Sequence, residues 1–239
     1  ILKNGKLEMV FKKEILNGKF RTLSRLYENG KKSRIVCLSA GNPAYYGTVK
    51  YFRENGTPLY SGQFYDGKME GMYKEYYKSG KLLMESHFSN NKENGLEKIY
   101  YENGKIKREI SHKNGVVDGV SKLYYPNGKV QNESTHKKGV PDGVSKTYYE
   151  NGKLLVEVTY KNGVQVGVQK DYYENGKLKV ELPFKNGIIE GIAKVYYPNG
   201  KIMSEESYKN NQLDGIVKRY DESGKITSEE FYKNGNRIK

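Results

Sequence analysis

Few side chains in this chain of 239 residues are suited to catalysis or metal binding: one cysteine, Cys37, and three histidines, His87, His112 and His136. His112 and His136 lie 24 residues apart, which raises the possibility of a two-histidine metal site. A zinc site takes three or four ligands from the protein, and no third ligand is evident beside these two. Phe or Tyr stands at the equivalent place elsewhere, so we interpret both imidazoles as occupants of an aromatic slot. We therefore predict no metal site, no cofactor and no catalytic residue.

Acidic residues recur immediately before a glycine, and a row of carboxylates would be a second way to bind a cation. Asp-Gly pairs are typical of turns, where a short acidic side chain accepts hydrogen bonds from nearby backbone N–H groups. We interpret these carboxylates as turn residues and keep a calcium-type row as the alternative. The glycines form no phosphate-binding loop, because the sequence lacks a G-x-x-x-x-G-K-[ST] arrangement. The acidic residues are Glu70, Asp118, Asp142, Glu190 and Asp214.

A repeat of 24 residues positions all of these side chains. Each repeat opens with a glycine, which we number position 1, and has an Asn-Gly pair or a close relative at positions 9–10 and again at 20–21. Asn-Gly favours the positive φ angles of tight hairpin turns, so each repeat is predicted to contain two turns and two strands of about seven to nine residues. No stripe with helical spacing is present. The opening glycines are Gly47, Gly71, Gly95, Gly119, Gly143, Gly167, Gly191 and Gly215.

A two-residue turn at positions 9–10 predicts that residues whose positions add up to nineteen face each other across the hairpin. Lysine at position 4 then faces glutamate at position 15, and opposite charges favour that register. The opening glycine faces an aromatic residue or histidine at position 18, and a ring over a strand glycine is stabilising. Tyrosine at position 7 faces an aliphatic residue at position 12, as in Tyr125 and Val130. A four-residue turn would keep the faces and change the pairs.

Strand alternation sorts these positions onto two faces. One face has the Lys–Glu pairs, the tyrosine at position 6 and an aliphatic residue at position 2, and the other has positions 7, 12 and 18. The predicted fold class is all-β: an elongated single-layer antiparallel sheet of tandem 24-residue β-hairpin repeats, or solenoid-like ribbon. Residues 47–239 are predicted to form eight repeats, and residues 1–46 a cap of eroded repeats with an irregular insertion at 31–46.

The composition indicates what such a sheet could bind. Net charge is +14, and most of the basic residues are lysine, which favours solubility and protected sheet edges over arginine-based reading of nucleic acid. No apolar stretch approaches the ~20 residues of a transmembrane helix. Tyrosine is favoured in protein interfaces, so the row at position 7 is predicted to bind a partner. This row consists of Tyr77, Tyr101, Tyr125, Tyr149, Tyr173 and Tyr197.

The recurring pattern G-x-x-K-x-Y-Y-x-N-G-K-x-x-x-E, followed by an aromatic residue and K-N-G, resembles the bacterial variant of the MORN repeat (membrane occupation and recognition nexus). The resemblance covers residues 47–239 and, more weakly, 1–30. It implies a single-sheet array of hairpins without catalysis, and similar proteins are often described as antitoxins of toxin–antitoxin systems. The chain has no tryptophan and lacks the Y-x-G-x-W core of the eukaryotic repeat.

Two functional hypotheses follow. The first is a non-enzymatic protein-binding or scaffolding module, including an antitoxin-like partner that neutralises another protein. The alternative is a binder of an anionic polymer or membrane surface through the basic, tyrosine-rich sheet, whose affinity would fall steeply with salt. Open sheet ends also allow end-to-end self-association. The compartment stays open between the bacterial cytoplasm and the cell surface or exterior.

Overall fold

The structure is a computed structural model that describes residues 14–16, 20–26, 32–39 and 46–238, with side chains from residue 47 onward. Strands and turns make up the regular structure of these residues, and no helix occurs among them. The predicted all-β class, with tandem hairpin repeats of about 24 residues, is confirmed. Much of the predicted cap, including residues 1–13, lies outside the described residues.

The chain forms two compact units, Ile1–Val116 and Val117–Lys239. Within each unit, strands that follow one another in the chain pair in antiparallel orientation. Residues 32–39, which belong to the segment predicted as an irregular insertion, form a strand that pairs on both sides. The described strands up to residue 113 are β1 (Glu14–Leu16), β2 (Phe20–Leu26), β3 (Lys32–Ser39), β4 (Tyr46–Phe52), β5 (Pro58–Tyr65), β6 (Lys68–Tyr76), β7 (Leu82–Ser89), β8 (Lys92–Glu93), β9 (Gly95–Tyr100) and β10 (Ile106–Lys113).

The remaining strands continue the same alternation of two strands per repeat. Three of the described strands, β8, β17 and β22, have only two residues. Of these, β8 and β17 each continue after one residue into the next strand, which pairs with the same neighbour. The later strands are β11 (Val116–Tyr124), β12 (Val130–Lys137), β13 (Val140–Tyr148), β14 (Leu154–Lys161), β15 (Val164–Tyr172), β16 (Leu178–Lys185), β17 (Ile188–Ile189), β18 (Gly191–Tyr196), β19 (Ile202–Lys209), β20 (Gln212–Tyr220), β21 (Ile226–Lys233) and β22 (Asn236–Arg237).

The turn at positions 20–21 has the predicted geometry. Asn162 and Gly163 both have positive φ angles, of 50° and 80°, and the flanking residues Lys161 and Val164 pair directly. Two consecutive residues with positive φ between paired strand ends define a two-residue turn of type I′, which matches the twist of the strands that it joins. This turn joins each repeat to the next one, and the register then shifts between Glu157 and Thr159 before Glu157 pairs with Lys170.

The turn at positions 9–10 is longer than predicted. Tyr149 at position 7 donates its backbone N–H to the carbonyl oxygen of Lys153, and Gly152 donates to the carbonyl oxygen of Tyr149, each at 2.8 Å. The glycine has a φ of 93°, as expected for a three-residue loop that ends in a glycine bulge. The register shifts by one residue before this loop, so Leu154 at position 12 faces Tyr148 at position 6. The predicted pairing of positions 7 and 12 is wrong, and position 12 shares the face of position 6.

Away from that loop the predicted register is confirmed. Lys122 pairs with Glu133, and Gly119 pairs with His136. The glutamate also pairs with the lysine of the following repeat, as Glu133 does with Lys146. Lysine and glutamate consequently alternate without a break from strand to strand between Lys122 and Glu229.

The two faces of the sheet differ in burial. Among the residues whose side chains are described, six non-glycine residues are buried, and all of them lie at positions 3, 14 or 16. The opposite surface, which we call the ladder face, has positions 2, 4, 6, 15 and 17. In residues 117–238 the side chains at these positions are half-buried or exposed. The buried residues are Ser86, Glu97, Ile110, Ala193, Ser204 and Val217.

Candidate interaction surface

Alternating lysine and glutamate side chains run along the centre of the ladder face. The Nζ–Oε2 distance is 3.0 Å between Lys122 and Glu133 and 3.4 Å between Lys146 and Glu157. These side chains are partly exposed, and such pairs contribute only about 0.2–1 kcal/mol each to stability. Their main effect is on register, because a slip by one residue would separate every pair at once.

The tyrosine at position 6 connects this ladder to the preceding repeat. Tyr196 donates its hydroxyl to Glu181 at 2.7 Å, and burial together with that carboxylate raises the pKa of Tyr196 to about 12. Tyr100 makes the same bond to Glu85 at 2.6 Å, and this bond, with a smaller effect of Lys74, lowers the pKa of Glu85. The predicted placement of positions 4, 6 and 15 on one face is therefore confirmed.

The tyrosines predicted to bind a partner, at position 7, link consecutive repeats. Each ring is half-buried, including that of Tyr101. Five hydroxyls donate to the backbone carbonyl oxygen of the position-6 tyrosine in the next repeat, at 2.6–2.7 Å. The phenol oxygen is thus engaged within the protein, and the ring faces are what could meet a partner. The donors are Tyr77, Tyr125, Tyr149, Tyr173 and Tyr197, and the acceptors are Tyr100, Tyr148, Tyr172, Tyr196 and Tyr220.

An aliphatic side chain at position 2 is exposed in every repeat of the second unit. Between 37% and 57% of the surface of these residues is accessible, although Val and Ile are usually among the most buried residue types. The sequence placed position 2 on the ladder face, but it did not identify these residues as a binding site. We call this set the aliphatic row, and its members are Val120, Val144, Val168, Ile192 and Ile216.

The opening glycine lets the residue at position 17 of the preceding repeat approach the backbone. Gly143 has a φ of 127°, and a Cβ atom there would lie 3.0 Å from the Cβ of Thr135. At Gly215 the corresponding values are 121° and 2.9 Å, with Ser207 as the neighbour. The side chain nearest to the missing Cβ of the glycine is therefore that of position 17. The ring at position 18, which was predicted to cover the glycine, only pairs with the glycine in register.

The acidic residues before the opening glycines are not the turn residues that were predicted. Glu70, Asp118, Asp142 and Asp214 lie within strands, and their carboxylates cap the turn at positions 20–21 of the adjacent hairpin. Oδ2 of Asp142 accepts the backbone N–H of Asn162 at 3.1 Å. Asp214 makes the same bond to Asn234 at 3.2 Å, and this bond, followed by that from Lys233, lowers the pKa of Asp214. These contacts satisfy backbone donors at the end of the hairpin.

The histidines differ in their surroundings. His87 is exposed, whereas His112 pairs in register with Gly95 and is nearly buried, which places it in the predicted slot. His112 also lies close to two carboxylates, those of Glu93 and Glu97. Sequence reasoning sought its partner in the other histidine and missed these residues, whose acidic character at positions 23 and 3 was the available signal.

Hairpins that repeat at a fixed period, with tyrosine hydroxyls bonded from one repeat to the next, define a tandem β-repeat protein. The family model described as the MORN repeat variant matches most of the repeats, and the chain belongs to this family. Repeats of this family are non-catalytic modules that bind proteins or membranes. The matched residues are 69–90, 93–114, 117–138, 141–162, 165–186, 189–210 and 213–234.

The family assignment leaves the particular partner open. No curated protein matches the chain. In the part of the chain that the structure describes, there is no helix long and apolar enough to cross a membrane. The hairpin of β4 and β5 precedes the first matched repeat and has the same register, since Gly47 pairs with Phe64 and Lys50 with Ser61. The prediction of eight repeats that begin at residue 47 stays a prediction.

Proposed function

We propose that the chain is a non-catalytic protein-binding module whose contact surface is the ladder face of the second unit. The aliphatic row is the observation that supports this proposal. Single exposed aliphatic residues are normal on soluble proteins. A row that recurs in register at every repeat, flanked by charged side chains, combines an apolar strip with a polar rim, as protein interfaces do.

The partner that fits this surface is an acidic protein with its own line of apolar side chains. Members of the aliphatic row lie two strands apart, or about 10 Å, because adjacent strands are about 4.8 Å apart. The net charge of +14 favours an acidic partner and accelerates its association. The finer form of the proposal is that the partner is a protein whose activity the chain neutralises, in the manner of an antitoxin.

A capture experiment at about 150 mM salt tests the proposed surface, since specific protein contacts persist there while purely electrostatic ones weaken. The immobilised chain is incubated with lysate of the source cell, and bound material is identified by mass spectrometry. The test variant replaces Val144, Val168 and Ile192 with serine. The control variant replaces Val140 and Val164 with serine. These two residues are at position 22, outside the aliphatic row, and are about as exposed as Val144 and Val168.

The expected result is one acidic protein, captured in near-stoichiometric amount by the wild type and by the control variant but not by the row variant. Equal capture by all three forms would show that the row is not the contact surface. Recovery of only nucleic acid or lipid, released by modest salt, would favour the alternative of an anionic polymer or membrane surface. If the captured protein has a measurable toxic activity, its inhibition by the chain tests the neutralising role.

We also retain a separate proposal, that the ring faces at position 7, which the sequence places on the face opposite the ladder face, bind a partner. Replacement of Tyr149 and Tyr173 with phenylalanine removes the hydroxyl bonds to the next repeat and keeps the rings. Replacement of the same pair with leucine removes both. If the rings touch the partner, the leucine variant captures less than the phenylalanine variant, whereas a purely structural role predicts equal capture by the two.

A further inference from the structure

Three ionisable side chains form a cluster in the first unit: Glu93 at position 23, Glu97 at position 3 and His112 at position 18. Both glutamates depart from the repeat. Position 23 is otherwise Met, Val, Pro, Gln, Ile, Leu or Arg, and position 3 is otherwise Val, Tyr, Ser, Gln or Ala. Two acidic substitutions that coincide around one histidine are not required by the hairpin, since the other repeats form without them.

Both ring nitrogens of His112 face a carboxylate. Nδ1 lies 3.4 Å from Oε2 of Glu93, and Nε2 lies 3.3 Å from Oε2 of Glu97. The side chain of His112 is 9% exposed and that of Glu97 is 10% exposed. Within the described residues, neither nitrogen has a hydrogen-bond partner, although buried polar atoms nearly always have one. The imidazole thus lies beside two carboxylates without hydrogen-bonding to either of them, and a ligand shared by all three groups would satisfy it.

The electrostatics of the cluster favour a cation. The hydroxyl of Ser86, a residue that is 2% exposed, donates to Oε1 of Glu93 at 3.4 Å. A mostly buried carboxylate, that of Glu97, and a partly exposed one, that of Glu93, are thus held close together, and a positive ion between them would offset their repulsion.

We propose that Glu93, Glu97 and His112 form a binding site for one divalent transition-metal ion, with Zn²⁺ as the best match. One ligand atom from each residue lies within 4.8 Å of the other two. Ligand atoms around four-coordinate zinc are about 3.3 Å apart, since zinc–ligand bonds are about 2.0–2.1 Å long. Small side-chain rotations therefore bring the three atoms into coordination. The fourth position of the tetrahedron is then open to water or to a further ligand.

The donor set selects the class of ion. Calcium and magnesium prefer oxygen ligands alone, whereas an imidazole with carboxylates suits zinc and its neighbours in the first transition series. The site is independent of the proposed partner surface, because it lies in the first unit and uses none of the residues of the aliphatic row. A failure to find a protein partner would therefore leave it intact.

Zinc titration followed by histidine ring NMR tests the proposal at single-residue level. The full chain is stripped with a chelator, and Zn²⁺ alone is added while ¹H–¹⁵N correlations of the three imidazoles are recorded. The expected result is that one nitrogen of His112 shifts and saturates at one equivalent, while His87 and His136 do not change. Calcium and magnesium are added in parallel and are expected to produce no shift.

Variants that copy other repeats keep the hairpin while removing the ligands. The triple variant E93V/E97S/H112F places at each position a residue found there elsewhere, as in Val117, Ser121 and Phe184. Competition with a chromophoric chelator is expected to show a loss of zinc affinity of at least about 100-fold, because even outer-shell changes at zinc sites cost 10–100-fold. The single variant E97S loses affinity in the same direction, and H136F retains it. Circular dichroism confirms that each variant is folded.

Two results would overturn the proposal. One is the absence of a saturable His112 shift when zinc is in modest excess over the folded chain. The other is zinc affinity that is unchanged in the folded triple variant, which would assign any binding to other surface groups.

Discussion

Two consecutive repeats, those that open at Gly95 and Gly119, place a histidine at the same position and surround it with different chemistry. His112 faces two carboxylates with its two ring nitrogens. Around His136 the residues that correspond to Glu93 and Glu97, 24 residues further along the chain, are Val117 and Ser121. Nδ1 of His136 and Oγ of Ser121 are buried there, and neither has a hydrogen-bond partner among the described residues. The hairpin thus places the side chain at position 18 in the same location in both repeats, and the neighbouring residues determine whether that side chain can also bind a ligand.

The largest expected effect comes from removing the imidazole at the acidic slot. H112F places a phenyl ring, which has no polar atom, beside the carboxylates of Glu93 and Glu97. We expect a loss of about 1–3 kcal/mol in the free energy of unfolding, because two acidic groups lose a polar neighbour at a mostly buried site. Urea titration in the presence of a chelator measures it. The same loss in H136F would show that the two slots are equivalent and that the carboxylates are irrelevant.

The next prediction moves the acidic surroundings to the other histidine. V117E/S121E gives His136 the two carboxylates that His112 has, and we expect the folded chain to bind a second equivalent of zinc. The affinity should lie within about tenfold of that of the first site, a difference of about 1.4 kcal/mol. S121E alone is the control and is expected to bind the second ion more weakly. If the folded double variant binds only one equivalent of zinc, the backbone of the repeat is not sufficient to place these three side chains in a zinc-binding arrangement.

A smaller effect of opposite sign is expected when His136 itself is replaced. H136F fills the aromatic slot with a ring of the kind found at Phe184 and removes a buried nitrogen that has no partner in the described structure. The free energy of unfolding should rise by about 0.5–1 kcal/mol, because an unsatisfied polar atom is expensive to bury. Urea titration of H136F beside the wild type measures this change, and a clear decrease would mean that the nitrogen makes a stabilising contact.

The smallest expected effect concerns the hydroxyl at the position equivalent to Glu97. S121A removes a buried Oγ without a hydrogen bond in the described structure, and a gain of about 0.5 kcal/mol is expected. S86A serves as the comparison, since Oγ of Ser86 donates to Glu93. Thermal unfolding monitored by circular dichroism should move the two variants in opposite directions. A shift in the same direction would remove the distinction between a satisfied and an unsatisfied hydroxyl.

The sequence predicts the fold well where a contact is local and repeated. The pairings of Lys122 with Glu133 and of Gly119 with His136 were predicted from opposite charges and from the repeated spacing, and the structure confirms both pairs, although the turn is longer than predicted. The two-residue turn at Asn162 and Gly163 was also predictable, because both residues tolerate positive φ. Such features recur from repeat to repeat, so a wrong register would have given unfavourable pairs at several positions at once.

The failures lie where the same residue pair supports two geometries. An Asn-Gly pair fits both a two-residue turn and a three-residue loop with a glycine bulge, so the sequence alone did not reveal that Leu154 faces Tyr148. The cluster around His112 was missed for a different reason. Its ligands come from positions 23, 3 and 18, which are distant in the repeat and adjacent only once the strands pair, and no column of identical residues marks them.

The hydroxyl bonds from five position-7 tyrosines to the next repeat have a mechanical consequence. When the carboxyl end is pulled, the terminal hairpin can detach only by breaking such a bond together with its sheet contacts to the hairpin before it. Each rupture then releases one period of 24 residues, or about 80 Å of extended chain. Under tension the array would lengthen in equal steps, and the number of repeats would set how far the molecule extends before it yields completely.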